Sequence, residues 1–272
     1  MNTGDTTFIL FCSTLVFFMT PGLAFFYGGL VRRKNVLNTM MSSLFIMGLS
    51  SALWILVGYS LSFSGDHGHI IGDFTNAFLR GIGMNDLSQY SETIPALVFV
   101  GFQMMFAIIT PALITGSVAG RMRFKALFIF ILLWLFVVYY PLAHMVWGKG
   151  GFLGEVLGSV DFAGGNVVHI SSGVSGLVLS LLLGSRWGYK KQAYATHNIP
   201  FIILGATILW FGWFGFNAGS ALAANGLAAH AFMTTGTSAA FALLSWMAVD
   251  VIVTGKQTVI GASTGAVLGL VA

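Results

Sequence analysis

The sequence predicts an all-α polytopic membrane protein with about eight transmembrane helices and an N-terminus outside the membrane. Hydrophobic residues make up 57% of its 272 residues and charged residues only 7%, whereas soluble domains carry about 25% charged residues. So few charges cannot coat a surface that faces water, and most of the chain is therefore expected to face lipid. The uncharged residues also form long runs, and basic residues gather in every second connection between these runs.

Runs without Asp, Glu, Lys or Arg give the predicted helices. A helix needs about 20 apolar residues to cross a hydrocarbon core of about 30 Å. The runs cover residues 6–31, 35–65, 93–120, 126–148, 162–185, 192–249 and 257–272. The sixth run is long enough for two helices and is expected to break around residues 218–226, where Gly, Asn and other small residues cluster. Because the runs are apolar all round, they exclude a β-barrel, whose strands alternate polar and apolar residues.

Basic residues orient the predicted helices. Under the eight-helix prediction, 10 of the 12 Lys and Arg residues fall in connections on one side. They are Arg32, Arg33, Lys34, Arg121, Arg123, Lys125, Arg186, Lys190, Lys191 and Lys256. Cytoplasmic connections are enriched in Lys and Arg, so this side is predicted to be cytoplasmic and the N-terminus external. Residues 1–7 carry no basic residue, so we interpret the first run as a retained helix rather than a signal peptide.

His169 is the clearest candidate for chemistry inside a predicted helix. An ionisable group in a transmembrane span is costly and is a functional hypothesis by default. Imidazole can donate a hydrogen bond at one nitrogen and accept one at the other. The alternative is a neutral histidine bonded to a neighbouring helix. The nearby Ser172, Gly173 and Gly176 are typical of close helix packing.

Aromatic residues and one hydroxyl form a second candidate site. They are Trp213, Phe216 and Ser220 at i, i+3 and i+7 in the sixth predicted helix, Phe102 and Phe106 at i and i+4 in the third, and Trp147 at the outer end of the fourth. Residues at such spacings share a helix face. Each aromatic face attracts a cation by about 0.5–2 kcal/mol, so a ring of them with one acceptor suits a small cation that donates hydrogen bonds. Core packing and interfacial belts are the alternative roles of such residues.

Asp161 is predicted to have a structural role. It lies three residues before Gly164, at the start of the fifth run, where a carboxylate can accept backbone N–H bonds as a helix N-cap. The single cysteine, Cys12, excludes a disulfide within the chain. The sequence indicates no metal site and no cofactor. Its net charge of +4 reflects orientation in the membrane rather than a nucleic-acid partner.

Four motifs make the sequence resemble the ammonium transporter (Amt/Mep/Rh) family, on its bacterial-type branch. They are TPGLAFFYGG at residues 20–29, AHMVWG at 143–148, DFAGGNVVHI at 161–170 and GWFGFNAGS at 212–220. The resemblance covers nearly the whole chain. It implies a fold of eleven helices built as an inverted repeat, with residues 1–191 as the first repeat of five helices and residues 192–272 as part of the second.

The resemblance also implies that residues 1–272 are an ammonium transporter membrane domain that ends within its eighth helix. The family's second pore histidine lies in a later glycine-rich stretch, which has no counterpart in this sequence. An inverted repeat works through contacts between both of its halves. We therefore expect a fragment that does not form a conducting pore by itself.

The resemblance assigns roles to the candidate residues. It implies an outer ammonium site of Phe102, Phe106, Trp147 and Ser220, a gate of Phe106 and Phe216, a pore lined by His169 and Trp213, and a structural role for Asp161 beside the outer site. It further implies a multi-pass protein of the inner cell membrane and a homotrimer with one pore per subunit. A cytoplasmic regulatory protein of the PII type would be a partner.

These expectations describe a transporter or channel rather than an enzyme. Ammonium would bind at the outer aromatic site, lose its proton near the gate and pass as ammonia through a hydrophobic pore, where charge is costly and a neutral amine is not. One alternative is an ammonium-sensing membrane domain of a signalling protein. The other is an intramembrane serine protease, since residues 173–176 match the weak G-x-S-G pattern with Ser175 as the nucleophile.

Overall fold

The computed structural model describes residues 1–186, 188–191 and 194–272. Within them lie seven helices that are long and apolar enough to cross a membrane, and one shorter apolar helix. The eight are α1 (Thr3–Leu30), α2 (Arg33–Phe63), α3 (Ala96–Val118), α4 (residues 124–147), α5 (Gly165–Leu183), α6 (Ile199–Gly219), α7 (Gly226–Thr254) and α8 (Val259–Val271). β-structure in the described residues is limited to two isolated bridges, so the all-α membrane prediction is confirmed. The predicted repeat boundary falls on Gln192, which lies outside the described residues.

Side-chain caps fix where the last three helices begin. Asn198, Asn225 and Thr258 each accept the backbone N–H of the residue three positions later. Such a cap satisfies one of the backbone donors that a helix start leaves free. The long sixth run therefore divides between Gly219 and Gly226, within the segment where the sequence predicts a break.

Three helices contain a wide turn with π-helical hydrogen bonding. The turns are Trp54–Gly58 in α2, Leu135–Tyr139 in α4 and Gly165–Ile170 at the start of α5. Turns of this kind are rare and occur frequently at functional sites. The turn in α5 carries His169.

Glycines bring α1 and α6 into close contact. These two helices make the most extensive contact between any pair in the described chain. A Cβ atom at Gly205 would overlap the backbone nitrogen of Phe26 and would lie 2.6 Å from the carbonyl oxygen of Gly22. Only hydrogen fits in that space. Close approach matters in lipid because van der Waals packing, rather than the hydrophobic effect, holds helices together there.

The connections between helices gather at two ends of the bundle. At the basic end, the backbone N–H of His197 donates to the carbonyl of Gly29 at 3.0 Å, and Arg121 donates to the carbonyl of Gly184 at 2.6 Å. At the opposite end, the backbone N–H of Ala224 donates to the carboxylate of Asp5 at 2.8 Å. This opposite end also holds the long connection formed by residues 64–95.

A buried histidine ties the long connection to the end of α4. The side chain of His144 is 0% exposed, and its Nε2 lies 3.0 Å from the carboxylate of Asp66, 78 residues earlier. Its Nδ1 lies 3.2 Å from the carbonyl of Ser62. The Asp66 carboxylate also accepts the backbone N–H of His69 at 2.9 Å. The hydrogen bond from His144, with that from His69, holds the pKa of Asp66 below its ordinary value of 3.8.

Replacing Gly205 with alanine tests the close contact of α1 and α6. Its Cβ would force the two backbones apart, so we expect Gly205→Ala to lower the free energy of unfolding by about 1–3 kcal/mol. Gly101→Ala is the matched control, because a Cβ at Gly101 meets no atom within 4 Å. Thermal unfolding in detergent, followed by tryptophan fluorescence, compares the two. Equal midpoints would show that α1 and α6 are not held by this contact.

Asp66→Asn should weaken the folded state at neutral pH and flatten its response to acid. Because the pKa of Asp66 is lowered on folding, its stabilising effect is present above about pH 3.8 and is lost as the pH falls through the lower folded value. Thermal unfolding between about pH 7 and pH 3 measures this effect. Glu92→Gln removes the same charge from an exposed position of the same connection and should change neither property. Identical pH profiles for wild type and Asp66→Asn would refute the role of this carboxylate.

Candidate functional site

Two small cavities lie on either side of a pair of phenylalanine rings. The rings of Phe106 in α3 and Phe216 in α6 are in contact, with centroids 4.4 Å apart. Phe106 lines an outer cavity of about 170 Å³, and Phe216 lines an inner cavity of about 50 Å³. Of the residues predicted from the sequence, Trp147, Asp161 and Ser220 also line the outer cavity, and His169 and Trp213 line the inner cavity.

Two of the polar side chains around the outer cavity donate their protons to backbone carbonyls. The hydroxyl of Ser220 donates to the carbonyl of Phe216 at 2.9 Å, so its lone pairs remain free to accept. The indole N–H of Trp147 donates to the carbonyl of Asp161 at 3.0 Å, which fixes the ring. That ring stands edge-on to Phe106, with centroids 5.9 Å apart. Ser220 and Trp147 therefore offer the cavity an acceptor and an aromatic ring, rather than free donors.

The Asp161 carboxylate is engaged by the backbone at the start of α5. It accepts the N–H groups of four residues at 2.5–3.0 Å. The four are Gly164, Gly165, Asn166 and Val167. Gly164 adopts a φ of +121°, which residues with a side chain rarely adopt. A carboxylate has about four lone-pair positions, so this one shapes the cavity wall as a cap and has no capacity left for a ligand.

The His169 ring is held by stacking. It lies nearly parallel to the indole of Trp213, with centroids 5.5 Å apart, and 5.7 Å from the ring of Phe216. Within the described part of the chain, no group hydrogen-bonds to its ring nitrogens, in contrast to the alternative of a histidine bonded to a neighbouring helix. The Nε1 of Trp213 is also buried without a partner among the described residues. Both groups line the inner cavity, whose other walls are largely apolar.

Phe102 does not line the outer cavity. Its side chain is 1% exposed and stands edge-on to Phe106, with centroids 5.0 Å apart. It lies one helical turn before Phe106 and contacts Gly219 at the end of α6. Phe102 therefore packs behind Phe106 rather than beside Trp147 and Ser220.

Gln103 lines the outer cavity and was not anticipated from the sequence. Its side chain is 9% exposed, and its Oε1 is buried without a hydrogen-bond partner among the described residues. A buried acceptor without a partner costs about 1–3 kcal/mol, which a ligand that donates a hydrogen bond can recover. In the sequence, Gln103 could have been noticed as an amide side chain within an apolar helix. An amide indicates a functional site less strongly than an ionisable group does, because burying an amide in lipid costs less free energy.

Residues of the long connection complete the outer cavity. Tyr90 stacks on Phe99 of α3, with centroids 4.8 Å apart, and its hydroxyl donates to the carbonyl of Phe63 at 3.1 Å. Burial raises the pKa of Tyr90, so the phenol remains neutral. Helical periodicity could not predict that Tyr90 reaches the outer cavity, because Tyr90 belongs to a long connection and not to a helix.

The serine of the G-x-S-G pattern is not arranged as a nucleophile. The indole N–H of Trp134 donates to the hydroxyl of Ser175 at 2.8 Å. A nucleophilic serine needs a base that accepts its proton, and an indole N–H is only a donor. No base hydrogen-bonds to Ser175 in the described residues. Nor do these residues contain a cluster of three or more His, Cys, Asp or Glu side chains that could hold a metal ion.

Comparisons with known proteins identify the family. The sequence model of the Ammonium Transporter Family matches residues 7–272. An ammonium transporter from Bacillus subtilis is 51% identical over 272 residues, which are 100% of this chain and 66% of that protein. The crystal structure of Mep2 from Candida albicans matches with a TM-score of 0.91 and 36% identity, over 100% of this chain and 60% of that one. A structure named Sensor Amt Protein matches with a TM-score of 0.85 and 26% identity, over 98% of this chain and 72% of that one.

The chain thus spans about two thirds of the length of the Bacillus relative. The family match extends over nearly all of its residues, and the seven membrane-length helices found in the described residues agree with the helical fold of the matched structures. The chain belongs to the ammonium transporter family and is a multi-pass membrane protein.

Proposed function

We propose that this chain is the part of an ammonium transporter that recognises ammonium at the outer cavity and lines the path of ammonia past His169, and we assign conduction to the complete transporter. The observation that carries the proposal is the contact of Phe106 and Phe216 between a cavity with acceptors and a largely apolar cavity. Ammonium is a small cation with four N–H donors. Ser220 and Gln103 offer acceptors for these donors, and the rings of Phe106 and Trp147 offer cation–π attraction.

The inner cavity suits a neutral molecule. Its walls hold no charged residue, and a charge without a partner is costly in such surroundings. Ammonium is therefore proposed to lose its proton near the gate formed by Phe106 and Phe216. Ammonia would then exchange hydrogen bonds with the ring of His169 while passing Trp213. Phe102 would act by supporting Phe106.

Several further properties are proposed on the strength of the family. The chain is expected to act without enzymatic activity, in the inner membrane and as a homotrimer with one pore per subunit. A PII-type protein is proposed as its cytoplasmic partner. The division into a first repeat of residues 1–191 and part of a second in residues 192–272 is supported by the close contact of α1 with α6, the first helix of each.

A sensing role is the second candidate function. The likeness to the structure named Sensor Amt Protein favours it. The two candidates share the outer cavity but differ in the step after binding, because a sensor needs binding at the outer cavity and no flux past His169. Measuring binding and flux on the same variants therefore distinguishes them.

Trp147→Leu and His169→Ala should separate recognition from conduction. In proteoliposomes that hold the complete transporter, an ammonium jump on a solid-supported membrane is expected to give a saturable current, whereas residues 1–272 alone are expected to give none. Trp147→Leu should raise the half-saturating concentration about 2- to 30-fold, the equivalent of one cation–π contact. His169→Ala should abolish or alter the current. Phe211→Leu, an exposed position on α6, is the control and should leave the current unchanged.

Two outcomes would change the proposal. Unchanged currents in both Trp147→Leu and His169→Ala would refute the assigned roles. If ammonium raises the thermal midpoint of the complete protein, that rise depends on Trp147, and no current flows through it, recognition without conduction would favour the sensing candidate.

Gln103→Leu tests the acceptor that the structure adds to the outer cavity. Removing a hydrogen bond to a charged ligand should weaken ammonium binding about tenfold or more. Gln103→Glu retains an acceptor oxygen and should preserve binding. Thermal shifts in ammonium chloride, compared with sodium chloride, give the affinity of each variant. Full ammonium affinity in Gln103→Leu would exclude this side chain from the site.

A further inference from the structure

A third cavity, of about 690 Å³, lies at the basic end of the bundle. It is bounded by the ends of α1 and α3 and by the connection between α5 and α6. Its charged lining residues are Arg32, Arg186 and Lys190, and its aromatic lining residues are Tyr27, Tyr189 and Tyr194. The positive-inside rule assigns this end to the cytoplasm.

Two guanidinium groups meet at one tyrosine ring in this cavity. The Cζ atoms of Arg32 and Arg186 lie 4.8 Å and 4.9 Å from the ring centroid of Tyr194. Arg186 also donates to the Tyr194 hydroxyl at 2.6 Å. The two charges therefore lie within about 10 Å of each other, which is about one Debye length at 0.1 M salt. Like charges at this separation repel weakly, and an anion placed between them is attracted by both.

A third guanidinium increases this repulsion. Arg121 donates to Ser117, Ser180 and Gly184, while its Nε is buried without a partner among the described residues. Burial, and then repulsion from Arg186, lower the pKa of Arg121. The basic end is thus a concentrated positive site rather than a set of separate surface charges.

No carboxylate side chain of this sequence is placed to neutralise the site. Of the eight acidic residues, seven lie in segments at the opposite end of the bundle. They are Asp5, Asp66, Asp73, Asp86, Glu92, Glu155 and Asp161. The eighth, Asp250, already accepts two hydrogen bonds from Thr258, at 3.2 Å and 2.7 Å. Within residues 1–272 the arginine pair therefore lies in the cavity without a carboxylate partner.

We infer that this cavity binds a phosphate group, carried by an anionic lipid headgroup or free in solution. The planar fork of arginine matches phosphate oxygens in a bidentate manner. Basic pockets between helices on the cytoplasmic side are typical binding sites of anionic headgroups. Tyrosines lie at headgroup depth in membranes, and Leu30 and Val31 add apolar lining. The inference does not depend on the proposed transport function.

Lipid titration of the purified chain tests this inference. Dioctanoyl-phosphatidylglycerol, added in neutral detergent at constant ionic strength, should raise the thermal midpoint saturably. Arg32→Gln/Arg186→Gln should raise the half-saturating concentration roughly 25-fold, since each basic residue near an anionic surface contributes roughly fivefold. Arg33→Gln/Lys34→Gln removes the same charge at adjacent exposed positions outside the cavity and should change it by less than about twofold.

Three outcomes would overturn the inference: no lipid-dependent shift in wild type, an equal shift with zwitterionic dioctanoyl-phosphatidylcholine, or equal losses in the two double variants. If Arg32→Gln/Arg186→Gln does not fold, Arg186→Lys replaces it as the test variant. It keeps the charge but loses the planar guanidinium and should still weaken binding several-fold; full binding there would also overturn the inference.

Sodium phosphate, titrated against sodium chloride, identifies the source of the phosphate. An arginine-dependent shift assigns free phosphate, and a shift with the lipid alone assigns the headgroup.

Discussion

Backbone hydrogen bonding inside lipid is the constraint on which this structure depends. No water is available there, and each unsatisfied backbone group costs several kcal/mol. Helices meet the requirement except in their last turns, where acceptors are left free, and in their first turns, where donors are left free. The start of α5 is such a place, and Asp161 satisfies it by accepting four backbone N–H groups. This cap allows α5 to open with a wide turn, from which His169 reaches the inner cavity.

The same requirement separates the chemistry of the two cavities. Around the outer cavity, Ser220 and Trp147 direct their protons to backbone carbonyls. What these two side chains leave toward the cavity is an acceptor hydroxyl and an aromatic ring, which suit a cation that donates hydrogen bonds. Below the contact of Phe106 and Phe216, polar groups are few and apolar walls predominate. A charged donor is therefore favoured on one side of the rings and a neutral molecule on the other.

Local patterns in the sequence predicted the helices and much of the candidate site. The apolar runs correspond, in the described residues, to seven membrane-length helices and one shorter apolar helix, and the clustered small residues located the break between α6 and α7. Helical spacing also brought Phe216 and Ser220 to neighbouring positions, and the place of Asp161 before an apolar run indicated its cap. Each of these features depends on residues that are close in the chain.

Contacts between distant segments could not be predicted in this way. Helical spacing relates Phe102 to Phe106 but does not say which of two adjacent residues, Phe102 or Gln103, faces a cavity formed with other helices. Tyr90 enters the outer cavity from a connection that has no periodicity. The hydrogen bond between His144 and Asp66 joins residues 78 positions apart. Neither local sequence patterns nor composition indicate that these two residues are in contact.

The two ends of the molecule carry opposite charge. Seven of the eight acidic residues lie at the end that holds the outer cavity, and 10 of the 12 basic residues lie in the connections of the other end. Such separation raises the local concentration of cations at one mouth and of anions at the other, to an extent that falls as ionic strength rises. At the acidic end, the Asp161 carboxylate is fully hydrogen-bonded to backbone donors. A cation attracted to this end is therefore not bound tightly by that carboxylate. At the basic end, Arg32 and Arg186 share one tyrosine ring without a carboxylate, and there the unbalanced charge favours a bound anion.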